Sequence, residues 1–285
     1  MELTIIIPHY NDTKRLKRLL STIPDSASIQ VLVIDDMSDS FAIEDCSSNV
    51  ELLVNDSGEK GAGVCRNLGI QRALGKWLLF ADSDDYFTHD AFEIIKRYLN
   101  SESDIVYFSP ISEIEDQPEA ICQRHIHYSN LVSNFCDHED IAIRYQFEVP
   151  WSKMIKSSLV KKNEIKFDHS MVSNDTFFSL MSGHFANQIS ATRDPIYCVV
   201  ERSGSLTKVE SKERSLIRLG VVLKTNDYLD SWGHKEYQVS YLRLFYRYHK
   251  TIGLVHLIRL LPVFLSKGYL LIPRSLKRSM NIFRK

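Results

Sequence analysis

Three carboxylates fall within four positions at the end of an apolar run: Asp82, Asp84 and Asp85 in WLLFADSDD. Like charges this close raise one another's pKa and are costly to hold without a counter-charge. Asp82 and Asp84 stand two apart, so on an extended backbone both point to one side. Two hard oxygen donors on one side suit Mg2+ or Mn2+. Such ions keep several waters and bind one or two carboxylates together with substrate phosphates. The bland alternative is a solvated acidic loop, with Asp85 or Asp90 capping the next helix.

Other candidate chemistry is thinner. The turn SGEKGAG carries Gly58, Gly61 and Gly63 in the spacing GxxGxG. It is neither a dinucleotide fingerprint nor a Walker A loop, because Val64 and Cys65 follow Gly63. Backbone N–H groups at such a helix start can still bind phosphate, and an ordinary turn is the rival reading. The ten histidines form no HExxH set, and His125 and His127 are spaced for a surface strand. The five cysteines are odd in number and contain no CxxC pair. That argues against a disulfide framework or a zinc site and for a reducing, cytoplasmic setting. No Gly-x-Ser-x-Gly elbow supports hydrolase chemistry. Met1 runs straight into ELTIIIP with no basic, signal-like start, so export is not expected.

These residues need a frame. LTIII (Leu3–Ile7), VLVI (Val31–Ile34), LLVN (Leu52–Asn55), WLLF (Trp77–Phe80) and IVYF (Ile105–Phe108) are short continuous apolar runs of the kind found in buried parallel strands. Leu16, Leu19, Leu20 and Ile23 form one helical face, with Asn11 or Asp12 as N-cap. Helices are also predicted from about Val64 to Leu74 and around Phe92, Ile95 and Leu99. Strands alternating with helices predict an α/β fold, a mostly parallel sheet flanked by helices. The region 111–145 gives little signal, and the pattern after about 206 is helical. PHYND, DDMSD, NDSGEKGAG and ADSDD each follow a strand. Ligands of such sheets bind at the carboxyl ends of the strands, so the four clusters should converge.

The chain has 285 residues, is 44% hydrophobic and carries a formal charge of -1. It is long enough for one large domain plus an extension. From Arg243 to Lys285 there are ten Lys or Arg and no Asp or Glu, which leaves -11 for the remainder. A mildly acidic globule with a basic tail is expected, with no sign of nucleic-acid binding.

PHYND, VIDDMSD and the block from Asn55 to Phe87 resemble the family 2 glycosyltransferases, inverting enzymes with the Rossmann-like, nucleotide-sugar-binding type A fold. Pro8, Tyr10 and Asn11 match the family's P-x-Y-N. Asp35, Asp36, Ser38 and Asp39 match V-D-D-x-S-x-D. Arg66, Asn67, Gly69, Ala73, Gly75, Phe80, Asp82, Asp84 and Asp85 match the remainder of the pattern. Cys65 stands where the family usually has Ala. A looser resemblance covers about 149–207. VPWSKMIKSSLV looks like the family's W-x-K acceptor-side segment. SNDTFF stands where Glu-Asp is usual, so Asp175 matches the aspartate and Asn174 replaces the glutamate. YCVVERSGSLTK resembles the segment after it, ending near Arg202 and Ser205.

The resemblance implies a nucleotide-sugar donor, most simply a UDP-sugar, and a divalent cation held by Asp84 with Asp82. It implies Asp175 as general base, the rival reading being a helix N-cap before Phe177 and Phe178, and Asp36 as a partner of the base or ribose, the rival reading being a turn former. Tyr10 would flank the nucleobase, near Pro8 and Asn11, or else be a half-buried packing tyrosine; Arg66 would meet the phosphates or structure the loop, and Lys60, more weakly, would meet the phosphates. Trp151 is either a platform for an acceptor sugar or a core tryptophan. The expected acceptor is a lipid-linked or growing surface glycan of a bacterium, as in lipopolysaccharide or capsule synthesis. Residues 1–205 would form the catalytic domain, with 1–110 for the donor and 111–205 for the acceptor, and 206–285 a helical extension. A sugar nucleotidyltransferase is a rival, but PHYND is not its glycine-rich loop. A non-catalytic nucleotide-binding scaffold is the other.

The apolar stretch Ile252–Ile272 is interrupted by His256, Arg259, Pro262 and Lys267, so a membrane span is not expected. On a helical wheel His249, His256, Arg259, Ser266 and Lys267 gather on one side, with Pro262 expected to kink the helix or split it in two, and Arg274, Lys277, Arg278, Arg284 and Lys285 follow. That pattern predicts association with an anionic membrane surface at the inner face of the cell membrane. The alternative is a helical tail packed on the globule.

Overall fold

The computed structural model describes residues 1–40, 46–117, 120–202 and 211–273. These form two compact units, one drawn from residues 1–170 and 174–203, the other from 171–173 and 204–285.

The first unit begins with β1 (Leu3–His9), whose seven residues are all buried, as a strand covered on both faces requires. Helix α1 (Thr13–Ser21) follows. Its N-cap is Asp12, whose carboxylate accepts from the Arg15 N–H at 3.4 Å. Next come β2 (Ile29–Asp35), also fully buried, and β3 (Val50–Val54), an exposed edge strand. Then follow α2 (Ala62–Arg72), β4 (Trp77–Phe80), β5 (Tyr86–Phe87), α3 (Ala91–Lys96) and β6 (Ile105–Ile114). The region of weak signal holds α4 (Ile126–His138) and α5 (Ala142–Gln146). His125 and His127, considered above for a strand, sit at the N-cap and in the first turn of α4. The unit ends with β7 (Lys153–Lys156), α6 (Ser157–Lys162), α7 (Thr176–Phe185) and β8 (Ile189–Glu201).

One eight-stranded sheet runs in the order β3-β2-β1-β4-β7-β6-β8-β5. The α/β reading holds, but the sheet is mixed. Pairs β2–β3, β1–β2, β1–β4 and β6–β8 are parallel, while β7 is antiparallel to both β4 and β6, and β5 to β8. Lys-Met-Ile-Lys holds only two apolar residues, too few for a periodicity to register, which is why pattern reading passes over β7. Proline lacks a ladder donor, yet Pro8 sits in the central strand β1. It is tolerated because the pairing of β1 with β4 ends at Ile6, two residues earlier. The core packs Trp77, Phe87, Phe108, Trp151 and Tyr197 among aliphatic residues of β1, β2 and β4.

The second unit contains α8 (Lys212–Ser231), α9 (Tyr241–Tyr248), α10 (Leu254–Ile258) and α11 (Leu261–Ser266). Ser211 and Ser240 cap the first two through their hydroxyls. Leu219, Leu244, Tyr248, Ile252, Leu257, Phe264 and Tyr269 form its core. The stretch 252–272 holds two short helices, the split being one of the two outcomes expected at Pro262. Pro262 lies in the first turn of α11, where a missing N–H costs nothing. Among the described residues no helix is long and apolar enough to cross a membrane. Arg274, Lys277, Arg278, Arg284 and Lys285 lie outside the described residues, as does Ser205.

Gly75 lies where the turn before β4 crosses the start of β1. A Cβ there would stand 2.4 Å from the Thr4 nitrogen. The Gly75 N–H donates to Thr4 Oγ1 at 2.8 Å, and its carbonyl accepts from Ser157 Oγ at 2.5 Å. Backbone cannot swing aside as a flexible side chain does, so Gly75→Ala should destabilise the protein by about 1–3 kcal/mol. Urea unfolding followed by tryptophan fluorescence measures this, and an unchanged midpoint would show that the crossing can relax.

Candidate functional site

The acidic loop after β4 is held by a tyrosine from the far end of the sheet. Tyr197 on β8 is buried, and its hydroxyl accepts from the Asp82 N–H at 2.8 Å and donates to Asp85 Oδ2 at 2.9 Å. Asp85 Oδ1 accepts from the Val200 N–H at 2.8 Å. Burial pushes the Asp85 carboxyl well above the usual carboxylate range, with Asp84 and Asp82 adding to the push. Asp85 is thus neither exposed nor the cap of α3, whose N-cap position is Asp90. It ties the loop to β8.

With Asp85 turned inward, Asp82 and Asp84 remain at the surface, each with about a third of its side chain exposed. Asp82 Oδ1 accepts from Arg66 Nη2 at 2.5 Å. Asp84 faces Arg202 at 3.6 Å, and its carbonyl accepts from Arg18 Nη2 at 2.5 Å. Burial and the neighbouring Asp82 raise the Asp84 carboxyl, and Arg202 opposes them. Among the described residues no set of three His, Cys, Asp or Glu gathers to hold a metal. Two half-exposed hard-oxygen donors nevertheless fit a cation of the magnesium or manganese class, which takes its other ligands from water and phosphate.

Arg66 also donates through Nη1 to Asn174 Oδ1 at 3.0 Å. One buried guanidinium therefore spans the acidic loop and the segment that opens α7. Asn67, the next residue on α2, holds the same segment: its amide exchanges two 2.9 Å bonds with the Phe167 backbone. Gly63 lets it approach, since a Cβ there would fall 2.1 Å from the Asp168 carbonyl oxygen. Asp175 occupies the N-cap position of α7, but its carboxylate makes no capping bond. Burial raises its pKa, with Arg66 the largest opposing influence and Lys153 a smaller one. Lys153 on β7 is buried too. Its Nζ donates to the Phe147 carbonyl at 3.0 Å, and burial lowers its pKa to about 7.

On the other side of the strand ends, Asp36 Oδ1 accepts from Asn55 Nδ2 at 2.9 Å and from the Gly61 N–H at 3.0 Å. This bond set joins the loops after β2 and β3 to the start of α2. Asn11 is left-handed at φ 49, a conformation asparagine tolerates. Its N–H donates to Ser38 Oγ, and its amide exchanges 3.0 Å bonds with Asp39. Tyr10 is exposed, and Lys60 Nζ lies 3.5 Å from its ring centroid. Pro8 is inside β1. The structure thus gathers Tyr10, Asn11, Asp36, Lys60, Arg66, Asp82 and Asp84 at the carboxyl ends of the strands.

Trp151 is elsewhere. Its ring is 4% exposed, stacked on Tyr197 at 5.6 Å and edge-on to Tyr128 at 5.0 Å. The platform reading is corrected: it is a core residue that supports the tyrosine holding the acidic loop. Sequence reasoning assigned no role to Tyr197, Lys153 or Arg18. Lys153 stands in the W-x-K segment and Tyr197 opens YCVVERSGSLTK, but nothing local shows what either side chain contacts.

Residues 4–163, more than half of the chain, match the family model described as Glycosyl transferase family 2. EpsH of Bacillus subtilis, named as a glycosyltransferase, is 23% identical over 77% of this chain and 66% of its own length. A poly(ribitol-phosphate) beta-glucosyltransferase of Bacillus spizizenii is 26% identical over 72% of this chain. The chain spans only 33% of that relative and 35% of TarS, the Staphylococcus aureus poly(ribitol-phosphate) beta-N-acetylglucosaminyltransferase. A crystal structure of TarS residues 1–349 with UDP-GlcNAc superposes with a TM-score of 0.66 at 20% identity, covering 87% of this chain and 73% of that one. The fold is therefore shared with TarS. The family match runs from β1 through the acidic loop to β7, and on it the chain belongs to glycosyl transferase family 2.

Proposed function

We propose that this protein is an inverting glycosyltransferase that moves a sugar from a nucleotide-sugar donor, most simply a UDP-sugar, to a hydroxyl of a lipid-linked or growing surface glycan. The observation that carries this reading is the Arg66 bridge, which sets the Asp82–Asp84 pair and the Asp175 segment on either side of one guanidinium. The UDP-GlcNAc complex of TarS, which has this fold, supports the choice of donor. Residues 1–110 would serve the donor and 111–205 the acceptor, with 206–285 as the extension. The work would be cytoplasmic, at the inner face of the cell membrane, with an anionic membrane surface as a partner of the basic end.

In the reaction the acceptor oxygen attacks the anomeric carbon, the bond from that carbon to the diphosphate breaks, and the hydroxyl proton passes to a base. Asp84 and Asp82 would hold a divalent cation, Mg2+ or Mn2+, which supplies Lewis-acid stabilisation of the leaving diphosphate. Arg66 and Arg202 add positive charge beside those carboxylates. Tyr10 offers an aromatic face for the nucleobase, with Lys60 over it, and Asp36 and Asn11 fix the loops around it. Asp175 would take the proton. Its burial raises its basicity, and Arg66 and Lys153 oppose protonation.

Three predictions follow from this arrangement. Asp84→Asn should abolish metal-dependent UDP binding by calorimetry and, with it, release of UDP from a panel of UDP-sugars. Transfer by that variant in excess EDTA would remove the metal from the mechanism. Asp175→Asn should leave UDP affinity unchanged and lower the rate by about 10²–10⁴-fold, the usual cost of a lost general base. In the native enzyme the rate should fall on the acid side as Asp175 protonates, at a pH above that of an ordinary aspartate, because its pKa is raised. Near-native transfer by the variant would move the base elsewhere. Tyr197→Phe leaves the Asp82 N–H and a buried Asp85 oxygen without their partner, at about 1–3 kcal/mol for each unpaired group. Weakened Mn2+ affinity, read by calorimetry, should accompany the loss of stability.

A further inference from the structure

Helix α10 turns apolar residues outward. Leu254, Val255 and Ile258 are 53%, 61% and 58% exposed. At about 100° per residue they share an arc of about 100°, while Leu257, about 60° beyond Leu254 on the wheel, is buried in the core of the unit. Arg259 and His256 lie next around the wheel, and both are exposed. Lys250 is exposed just before the helix. From Tyr237 to the end of the chain there is no Asp or Glu. The three aliphatic residues belong neither to the core of their unit nor to the half-buried shell around it.

We propose that α10 is a membrane-docking wedge, in which Leu254, Val255 and Ile258 enter the acyl boundary of an anionic bilayer while Lys250, His256 and Arg259 meet the headgroups. The charge pattern selects lipid as the occupant. An apolar ridge rimmed by bases, without acids, complements an anionic interface. It would be repelled by its own basic rim if two copies met face to face. A five-residue helix is too short to span and needs only to lie in the interface. Docking of this kind would serve the lipid-linked acceptor of the transferase reading, on which it rests for its use but not for its chemistry.

The test uses the full chain and vesicles of phosphatidylcholine with about a third phosphatidylglycerol, compared with pure phosphatidylcholine. Wild-type protein should co-sediment with the anionic vesicles. The triple variant Leu254→Ser, Val255→Ser, Ile258→Ser should bind about tenfold or more weakly. Ile258→Trp should bind more tightly, since tryptophan favours the interface. Both variants should keep the wild-type melting temperature, because the residues are exposed. Equal vesicle binding by all three proteins overturns the proposal. So does a wild-type chain that ignores vesicles but changes from dimer to monomer, by light scattering, on the triple substitution. UDP binding by calorimetry is read in parallel. Its absence in every protein would sink the donor reading and leave the lipid result standing.

Discussion

The site depends on a carboxylate that never meets solvent. Asp85 sits at the end of β4 and gives both oxygens to β8, one to the Tyr197 hydroxyl and one to the Val200 N–H. A buried carboxyl is costly unless its hydrogen-bonding capacity is used. Here that capacity closes the loop against the opposite part of the sheet. The same phenol takes the Asp82 N–H, so both ends of the four-residue loop are pinned by one ring. Three carboxylates in four positions would otherwise repel. Turning one inward and pairing the other two with Arg66 and Arg202 resolves the conflict and leaves two donors facing out.

The motif residues of α2 have a second purpose. Gly63, Arg66 and Asn67 all act on the segment 167–174, by close approach, by a bond to Asn174 and by a pair of bonds to Phe167. The block that the sequence presents as one local motif is therefore a dock for a segment about 100 residues later. Asp175 comes to the strand ends because α2 holds the turn before it. The aromatic stack of Phe167 on Phe178, with Phe80 edge-on to both, packs the start of α7 against β4. Position and chemistry are thus set by the same few contacts.

The looser sequence resemblance expects a glutamate where this chain has Asn174. In this chain its side-chain oxygen accepts from Arg66 without adding negative charge. The guanidinium favours the ionised form of Asp175, while burial and Asp82 oppose it. Lys153, when protonated, acts on Asp175 in the same direction as Arg66 but more weakly.

Local patterns sufficed for much of this. The buried strands β1, β2 and β4 carry continuous apolar runs, and each is followed within two residues by Asn11, Asp36 or Asp82, because a chain leaving a sheet needs turn formers. Their order and the convergence of PHYND, DDMSD and ADSDD follow from α/β topology alone. The extended backbone expected to put Asp82 and Asp84 on one side is instead a turn, closed by the Asp85 N–H donating to the Asp82 carbonyl at 3.1 Å. What no local pattern held was the pairing of distant groups. β7 has two apolar residues between lysines, and only insertion between β4 and β6 makes it a strand. Trp151 reads equally well as a platform or as core until Tyr197 is seen to cover it. Asp85 looks like its neighbours until Tyr197 and Val200, 112 and 115 residues away, take its oxygens. The sequence by itself determined which residues stand at the strand ends, because side-chain alternation and turn chemistry act over a few residues. Tertiary structure alone decided which of those residues face solvent, because burial and counter-charge come from segments that meet only when the sheet closes.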